Sequence, residues 1–538
     1  MIRGSGAAGR MKAETMTIRR SRGLRTTVLV MGTVIGMTLA ACGGSAGGDA
    51  GGPTGEVDRN ATLRVGLDTP PPAMDPATSS SGLAQYPYGS LVYDRLTQMG
   101  PDLEVRPMLA TSWEIAPDRR SVTFALRDGV TFSDGATLDA AAVKAGLDRS
   151  LTLPASTVKA TLGGIASVDV VDPRTVRISA KNSAADLPAV LAGAEGGIVS
   201  PNALGNTDLD VKPVGSGPYT LADLKLGQTA TFVRREGYWD PEAQKAARIE
   251  MQFIPDPNAR LNALRSDQLD ISNSSEAMFE QASRIDGMTV STYPAAATIN
   301  LRLNTARPNI DKPEVRQALN YAIDREALST GLMAGQCDPL GQPLPAVYPG
   351  HLSTPPVTYT HDVAKARQLL AQAGLPNGFA MTLLVGASNS PFDRISTALQ
   401  AQLAEAGITV QIVTQQAPTV FTSWAAGEFD AYTTVSPTTA SSALTLTQTF
   451  QAPARYPGPR PADFDQAMTA ATAATSDDAA VRAAVTQAAD SAVRNAMNVW
   501  ICGRHTQVVA ADDVVGADTM GVSFYAGIMD LRYVGRTS

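Results

Sequence analysis

Hydrophobic and polar residues alternate along several short stretches of this chain. Thr62-Leu63-Arg64-Val65-Gly66-Leu67 has the period of a half-buried strand. Val122–Leu126 (VTFAL) and Ser167–Ile178 (SVDVVDPRTVRI) also read as strands, the second with an Asp-Pro turn inside it. Thr298–Asn304 alternates most cleanly: Ile299, Leu301 and Leu303 point one way, and Asn300, Arg302 and Asn304 the other. Elsewhere the period is that of a helix. Val315, Ala318, Leu319, Ala322 and Ile323 form one apolar stripe, with Asp311 as the expected cap, Glu314 completing a capping box and Pro313 in the first turn. Asp362–Ala373 is a second helix, stopped by Gly374. Ser476 opens a third, with Val481, Val485, Ala488 and Ala492 on one face. Strands and helices alternate without a sequence repeat, which predicts a mixed α/β chain of several lobes.

One apolar run fits neither pattern. Residues 24–42 read LRTTVLVMGTVIGMTLAAC and follow Arg19, Arg20 and Arg22. A basic stretch, a short apolar core and small residues make an export signal, for which Met11 or Met16 would serve equally as the start. Leu39-Ala40-Ala41-Cys42 resembles the lipobox of bacterial lipoproteins. That resemblance implies a signal peptide over 1–41, lipidation of Cys42 at sulfur, and an extracytoplasmic protein anchored to the cell membrane without spanning it. The other reading is a transmembrane helix, but the run is near the lower length limit for spanning and no second hydrophobic stretch follows. Arg19-Arg20 suits a twin-arginine signal poorly, because Arg22 and Gly23 stand where apolar residues are needed, so the general secretory route is expected. Residues 43–60 are Gly-rich and cannot bury enough apolar area to fold. As a flexible tether they reach on the order of 25 Å.

Composition narrows the class. About 480 residues beyond the tether make two to four domain-sized units with ample core. Hydrophobic residues at 44% and charged residues at 18% are ordinary for a globular protein, and a net charge of −7 argues against nucleic acid as a partner. Only three cysteines occur. With Cys42 lipidated, Cys337 and Cys502 remain, too few for a closed zinc site. An exported location permits a disulfide between them, which is the expectation; two buried thiols are the alternative. Catalytic groupings are scarce. His351, His361 and His505 stand alone, without H-E-x-x-H spacing, and there is no P-loop and no G-x-S-x-G. No cofactor, metal or catalytic residue is expected.

The longer motifs carry more. Residues 104–143 read EVRPMLATSWEIAPDRRSVTFALRDGVTFSDGATLDAAAV. Pro213-Val214-Gly215-Ser216-Gly217-Pro218-Tyr219 follows, then Gly237-Tyr238-Trp239. Asn304-Thr305 is followed by Val315-Arg316-Gln317-Ala318-Leu319, Ala322-Ile323-Asp324-Arg325 and Ala364–Gly374 (AKARQLLAQAG). In this order they resemble the family 5 extracellular solute-binding proteins, the oligopeptide, dipeptide and nickel-chelate receptors of ABC importers, over almost the whole chain from residue 62. Ser133 replaces a His common in that family, and Asp139-Ala140-Ala141-Ala142 replaces T-A-E-D, although Asp139 still suits a helix cap. Most of these residues are structural in their physics: Trp113 and Phe124 as apolar anchors, Gly129 and Gly135 in turns of positive φ, Gly-Ser-Gly-Pro-Tyr as a tight turn where the chain crosses between lobes.

The resemblance implies an α/β, type II periplasmic-binding-protein fold with two lobes and an additional inserted domain. The first lobe is expected from 61–98, 213–296 and 496–538, the inserted domain from 99–212 and the second lobe from 297–495, behind a tether over 42–60. It implies a ligand cleft between the lobes. The polar loop after the first strand offers Ser80, Ser81 and Gly82, with Tyr86 and Tyr88 as aromatics that can stack on a ligand; a solvated loop is the competing reading. Arg302 is on the polar face of the expected hinge strand, ready for an anionic group or for a structural salt bridge. Trp424, Tyr432, Thr433 and Ser436 are expected on the second lobe's wall. Peptide receptors grip the ligand's ammonium with an acid in this region, yet no Asp or Glu stands between Ala431 and Ala462, and no His either. A buried cation needs a charge partner, so free peptides and nickel are disfavoured. The expected protein is a monomeric substrate-binding lipoprotein that delivers a small polar, peptide-like or glycoside-like ligand to an ABC permease and ATPase. A ligand sensor or envelope-interaction lipoprotein on the same scaffold is the alternative, and a hydrolase lacks any paired nucleophile and base.

Overall fold

The computed structural model describes residues 55–79, 82–100, 102–387, 391–436, 439, 441–473, 478–520 and 530–538. Its frame is an 11-stranded mixed sheet. The order is Ile408–Gln415, Phe379–Gly386, Ala431–Val435, Met288–Leu303, Asn498–Ala511, Ile271–Ser274, Thr62–Leu67, Arg248–Phe253, Thr229–Arg234 and Tyr219–Lys225, with Cys337–Pro339 also paired to Asn498–Ala511. The two central strands are long and antiparallel, and they run through both halves of the sheet. Their register breaks between Tyr293 and Ala297 and again between Ile299 and Asn300. Such breaks bend a strand and increase its twist, which lets one continuous sheet serve two separately packed bodies.

Each half has its own core. Leu63, Val65, Tyr88, Tyr219, Phe232, Ile249 and Val508 belong to one apolar cluster. Ile299, Leu301, Leu303, Leu319, Leu383, Leu399 and Ile501 belong to another. A separate four-stranded antiparallel sheet, Ala110–Ile115, Ser121–Leu126, Thr175–Ala180 and Ile165–Asp172, closes over a third cluster with Phe124, Val143 and Ile178. The Asp-Pro turn expected within 167–178 joins the last two of these strands. Trp113 and Phe124 pack with ring centroids 6.4 Å apart, and Asp139 caps Ala140–Thr152 by accepting from the Ala142 N–H.

Two expectations change. The stripe 315–323 does not form one helix capped by Asp311. Lys312 is the cap residue of Pro313–Tyr321 without a side-chain bond, and a second helix, Arg325–Met333, begins at Asp324, whose carboxylate accepts from the Ala327 N–H. Arg316 fixes the entry: its guanidinium donates to the Ile310 and Asp311 carbonyls and holds the chain that leads into the first turn. The Gly-Ser-Gly-Pro-Tyr segment brings the chain from the four-stranded sheet back to the strand Tyr219–Lys225. Its glycines are there for space: a Cβ on Gly215 would come within 2.1 Å of the Val92 carbonyl oxygen. Ser476 lies outside the described residues, and the helix expected from it runs over Asp478–Arg494.

Candidate functional site

The residues expected to bind ligand fall on the two halves of the long sheet. On the second half, Ala431–Val435 pairs with Met288–Leu303, so Tyr432 stands opposite Arg302 and Thr434 opposite Asn300. Trp424, from the helix Ala417–Ala425, packs on Tyr432 with ring centroids 5.7 Å apart, and its indole N–H donates to the Arg455 carbonyl at 3.0 Å. Trp424 is 1% exposed and Tyr432 is also buried, so the pair is a packed layer under the wall. Phe421 is 63% exposed and meets the edge of Tyr432 at 6.5 Å. Thr433 accepts a hydrogen bond from Ser396 at 2.7 Å. Ser436 accepts one from the Asn300 amide at 2.8 Å, and its own N–H reaches the Thr298 carbonyl. The structure therefore brings Arg302, Tyr432 and Ser436 together on one sheet face and turns Thr433 toward the helix Phe392–Glu405.

The first half differs from expectation. Ser80 and Ser81 lie outside the described residues. Gly82 opens a helix, Gly82–Val92, so Tyr86 and Tyr88 stand on a helix and not in a polar loop. Both are buried. The Tyr88 hydroxyl donates to the Thr69 carbonyl at 2.8 Å, and the Tyr86 ring lies under the Arg95 guanidinium, 4.6 Å from it. The Ser, Gly and Pro content of 79–90 hides a helix whose Tyr88, Leu91 and Val92 enter the core.

At the bend of the long strands, Arg504 forms an ion pair with the buried carboxylate of Glu276. Burial opposes the Arg504 charge, but Glu276 outweighs it and raises the guanidinium above its usual value. Beside it, Cys337 and Cys502 are joined in a disulfide with Cα atoms 5.4 Å apart, tying the short strand Cys337–Pro339 to Asn498–Ala511.

Other groups were not anticipated. Asp94 is fully buried and accepts from Tyr238 at 2.8 Å, Trp239 at 3.0 Å and Ser216 at 3.1 Å. It brings two sequence motifs, Gly-Ser-Gly-Pro-Tyr and Gly237-Tyr238-Trp239, onto one carboxylate. No local pattern reveals these partners. Burial raises its carboxyl above the usual carboxylate range, against the hydrogen bonds from Trp239, Tyr238 and Ser216 and the charge of Arg532. Asp186, at the start of Leu187–Val190, meets the Ser441 hydroxyl, and Arg119 pairs with Asp478. These contacts join the four-stranded sheet and its connections to the second half of the long sheet. They border a cavity of about 210 Å³ whose walls include Arg119, Asp186, Ser441, Ser442 and Arg482. No local pattern marks Asp186 or Arg119. Among the described residues, no group of three His, Cys, Asp or Glu side chains is placed to hold a metal ion, and no helix is long and apolar enough to cross a membrane. Cys42 and the run before it lie outside the described residues.

The arrangement, two cored halves on one sheet with a smaller appended sheet, is matched by known proteins. Residues 104–458 match the model of the bacterial extracellular solute-binding proteins, family 5. The glutathione-binding protein GsiB of Salmonella paratyphi A is 32% identical over 350 residues, 64% of this chain and 67% of that protein. The periplasmic binding protein DppA of Helicobacter pylori, solved with the peptide STSA, superimposes with a TM-score of 0.77 at 24% identity, covering 89% of this chain and 98% of that one. The binding protein AgaA of A. tumefaciens, solved with agropinic acid, gives the same TM-score and identity, covering 89% of this chain and 99% of that one. The chain belongs to the family 5 extracellular solute-binding proteins. It is thus a binding protein with the two-lobed periplasmic-receptor fold, and its family is one of receptors and not of enzymes.

Proposed function

We propose that this protein captures a small polar ligand between the two halves of its long sheet and delivers it to an ABC permease from a lipid anchor at Cys42. The observation that carries the reading is the pair of long strands, Met288–Leu303 and Asn498–Ala511, which run continuously through two separately cored halves and bend between them. Ligand preference for the closed arrangement would then shift an existing open–closed population by hinge bending. The lobe boundaries are those expected from the sequence: 61–98, 213–296 and 496–538 for the first lobe, 99–212 for the insert and 297–495 for the second. The tether, expected over 42–60, would keep a monomeric receptor close to the membrane through its Gly-rich part, since its last residues join the folded body, where Val57 bridges to Thr537 and Arg59 donates to the Pro241 carbonyl.

The ligand is peptide-like or glycoside-like. The names of GsiB and DppA support the peptide-like class. The acid-free wall of 431–462 argues against a free ammonium gripped from that side, but Asp186 brings a carboxylate to Ser441 from the opposite side. Asp186 is our candidate for the missing acid.

A thermal-shift screen of the purified protein over di- to tetrapeptides, glutathione, capped peptides, glycosides and metal chelates tests the reading. We expect one class to raise the melting temperature by several degrees, since a ligand at 100 times its Kd adds about 2.7 kcal/mol. A chain that gains stability from none of them, or that cleaves the peptides, would not be this receptor.

A further inference from the structure

Arg302 lies in the middle of the second half of the long sheet and is 5% exposed. Its Nη2 donates to the Val435 carbonyl at 3.1 Å, and its Nε is buried without a partner. The expected alternatives for it were a ligand's anionic group or a structural salt bridge. Among the described residues it has no salt bridge. Burial, then the neighbouring charge of Arg455, pushes its guanidinium down to about 10 against a small opposing effect of Tyr432, so it remains a cation at neutral pH. The acid nearest in sequence to its partner strand, Asp430, is committed to Arg307 at 2.9 Å and to the N–H and hydroxyl of Thr382 at 2.7 and 2.8 Å.

Several other arginines, buried or half-buried, are treated differently, although Arg95 also keeps an Nε without a partner and donates to the Tyr86 hydroxyl. Arg149 holds Asp75 through two bonds of 2.6 and 3.0 Å. Arg316 donates to the carbonyls of Ile310, Asp311, Asn495 and Ala496, and Arg325 to those of Asn320, Tyr359 and Trp500. A buried charge in a folded protein is normally compensated in one of these ways. Among the described residues Arg302 has one carbonyl.

The neighbours on its sheet face are also short of partners. Arg302 stands opposite Asn498, and Asn300 opposite Trp500, so these four side chains share one face. The Trp500 indole N–H and the Asn498 Nδ2 are buried donors without an acceptor, as is Arg302 Nε. The Asn300 side chain is half-satisfied, donating to Ser436 and Thr298 while its oxygen has no partner. Three orphan donors on one face, one of them on the Arg302 cation, call for an acceptor that carries negative charge.

We propose that this row is an anion subsite and that the cargo carries an oxyanion, a carboxylate or a phosphate, which Arg302 receives through Nε and its terminal nitrogens. The planar guanidinium suits either group. The proposal rests on the receptor reading above and narrows it, because neutral glycosides and fully capped peptides become poor cargo.

The test uses wild type, Arg302→Met and Arg302→Lys. Without ligand, Arg302→Met is expected to melt at or above the wild-type temperature, since it removes an uncompensated buried charge. A clear fall would make Arg302 a structural residue and overturn the proposal. With ligand, thermal shift and calorimetry at constant ionic strength compare glutathione, trialanine and its C-terminal amide, glucose 6-phosphate and glucose. Wild type is expected to prefer an acid over its neutral counterpart by at least tenfold, with the peptide pair and the sugar pair separating carboxylate from phosphate. Arg302→Met should lose that preference and Arg302→Lys keep part of it. Binding of neutral members as tight as that of the acids would remove the anion subsite and leave the receptor standing. Binding of no probe at all would remove both.

Discussion

Asp94 shows how much a single buried residue organises here. The Ser216 hydroxyl, the Tyr238 phenol and the Trp239 indole N–H, from two separate segments, meet its two oxygens. Replacing it with Ala orphans a hydroxyl, a phenol and an indole N–H in the core. Each such group costs about 1–3 kcal/mol, so Asp94→Ala should lose at least about 3 kcal/mol in urea unfolding, if it folds at all. Asp94→Asn keeps one acceptor and should lose less. The pH dependence separates charge from hydrogen bonding. Burial holds the Asp94 carboxyl above its unfolded value, so its contribution is full below the unfolded pKa and declines as pH rises through the folded one. The stability gap between wild type and Asp94→Asn should therefore narrow from acid toward neutral pH. A gap that widened over that range would mean that the hydrogen bonds to the ionised form outweigh its desolvation.

At the scale of elements, the two long strands and the disulfide beside their bend form one unit. Cys337 and Cys502 are 165 residues apart, and closing a loop of that length removes unfolded-state entropy worth up to about 5 kcal/mol. Cys337→Ala/Cys502→Ala should lower the melting temperature, and a reductant should shift wild type the same way while leaving the double variant unmoved; equal melting of all three would show that strand pairing already supplies the constraint. Much at this scale was legible in the sequence. The strands at 62–67, 121–126 and 298–304 alternate because one face of each meets an apolar cluster. The helix expected over Asp362–Ala373 runs over Val363–Gln372 and is followed by Gly374 at positive φ, and Asp362 turns out to be its cap. What failed did so for identifiable reasons. Alternation at Asn300, Arg302 and Asn304 suggests an open polar face, but all three are buried, because a sheet covered on both sides can keep polar residues where a cleft or a carbonyl receives them. Tyr86 and Tyr88 looked like loop aromatics because Ser, Gly and Pro surround them, and burial against the first core overrode that local preference. Asp311 does not cap: Lys312 takes the cap position without a side-chain bond, and the Asp311 carbonyl accepts from Arg316, a contact that no periodicity reveals.

The whole molecule is held by contacts between surfaces far apart in sequence, which no local pattern anticipates. Arg119 pairs with Asp478, Asp186 meets Ser441, and Leu103 packs against the apolar cluster of Leu446, Phe450 and Trp500. Asp186 should make this closure sensitive to pH. Burial raises its carboxyl above the ordinary carboxylate range, with the Ser441 hydrogen bond and Arg119 opposing. If the surfaces part, the carboxyl returns to water and to its ordinary value. The closed arrangement thus binds the proton more tightly than the open one, so it is favoured at acid pH and loses that advantage as pH rises through the raised value. An exposed pair such as Arg119–Asp478 contributes too little to hold the surfaces alone. We expect the radius of gyration of the ligand-free protein, measured by small-angle scattering, to increase from about pH 4 to pH 7 as the open population grows. Asp186→Asn should flatten that dependence by keeping the group neutral, and Arg119→Ala should steepen it by removing the nearest compensating charge. A saturating ligand should hold the compact value at both pH values in wild type, because its preference for the closed form adds to the contacts already there. A radius that fell as pH rose, or one equally pH-dependent in Asp186→Asn, would place the switch elsewhere and leave Asp186 only its part in the wall of the cavity.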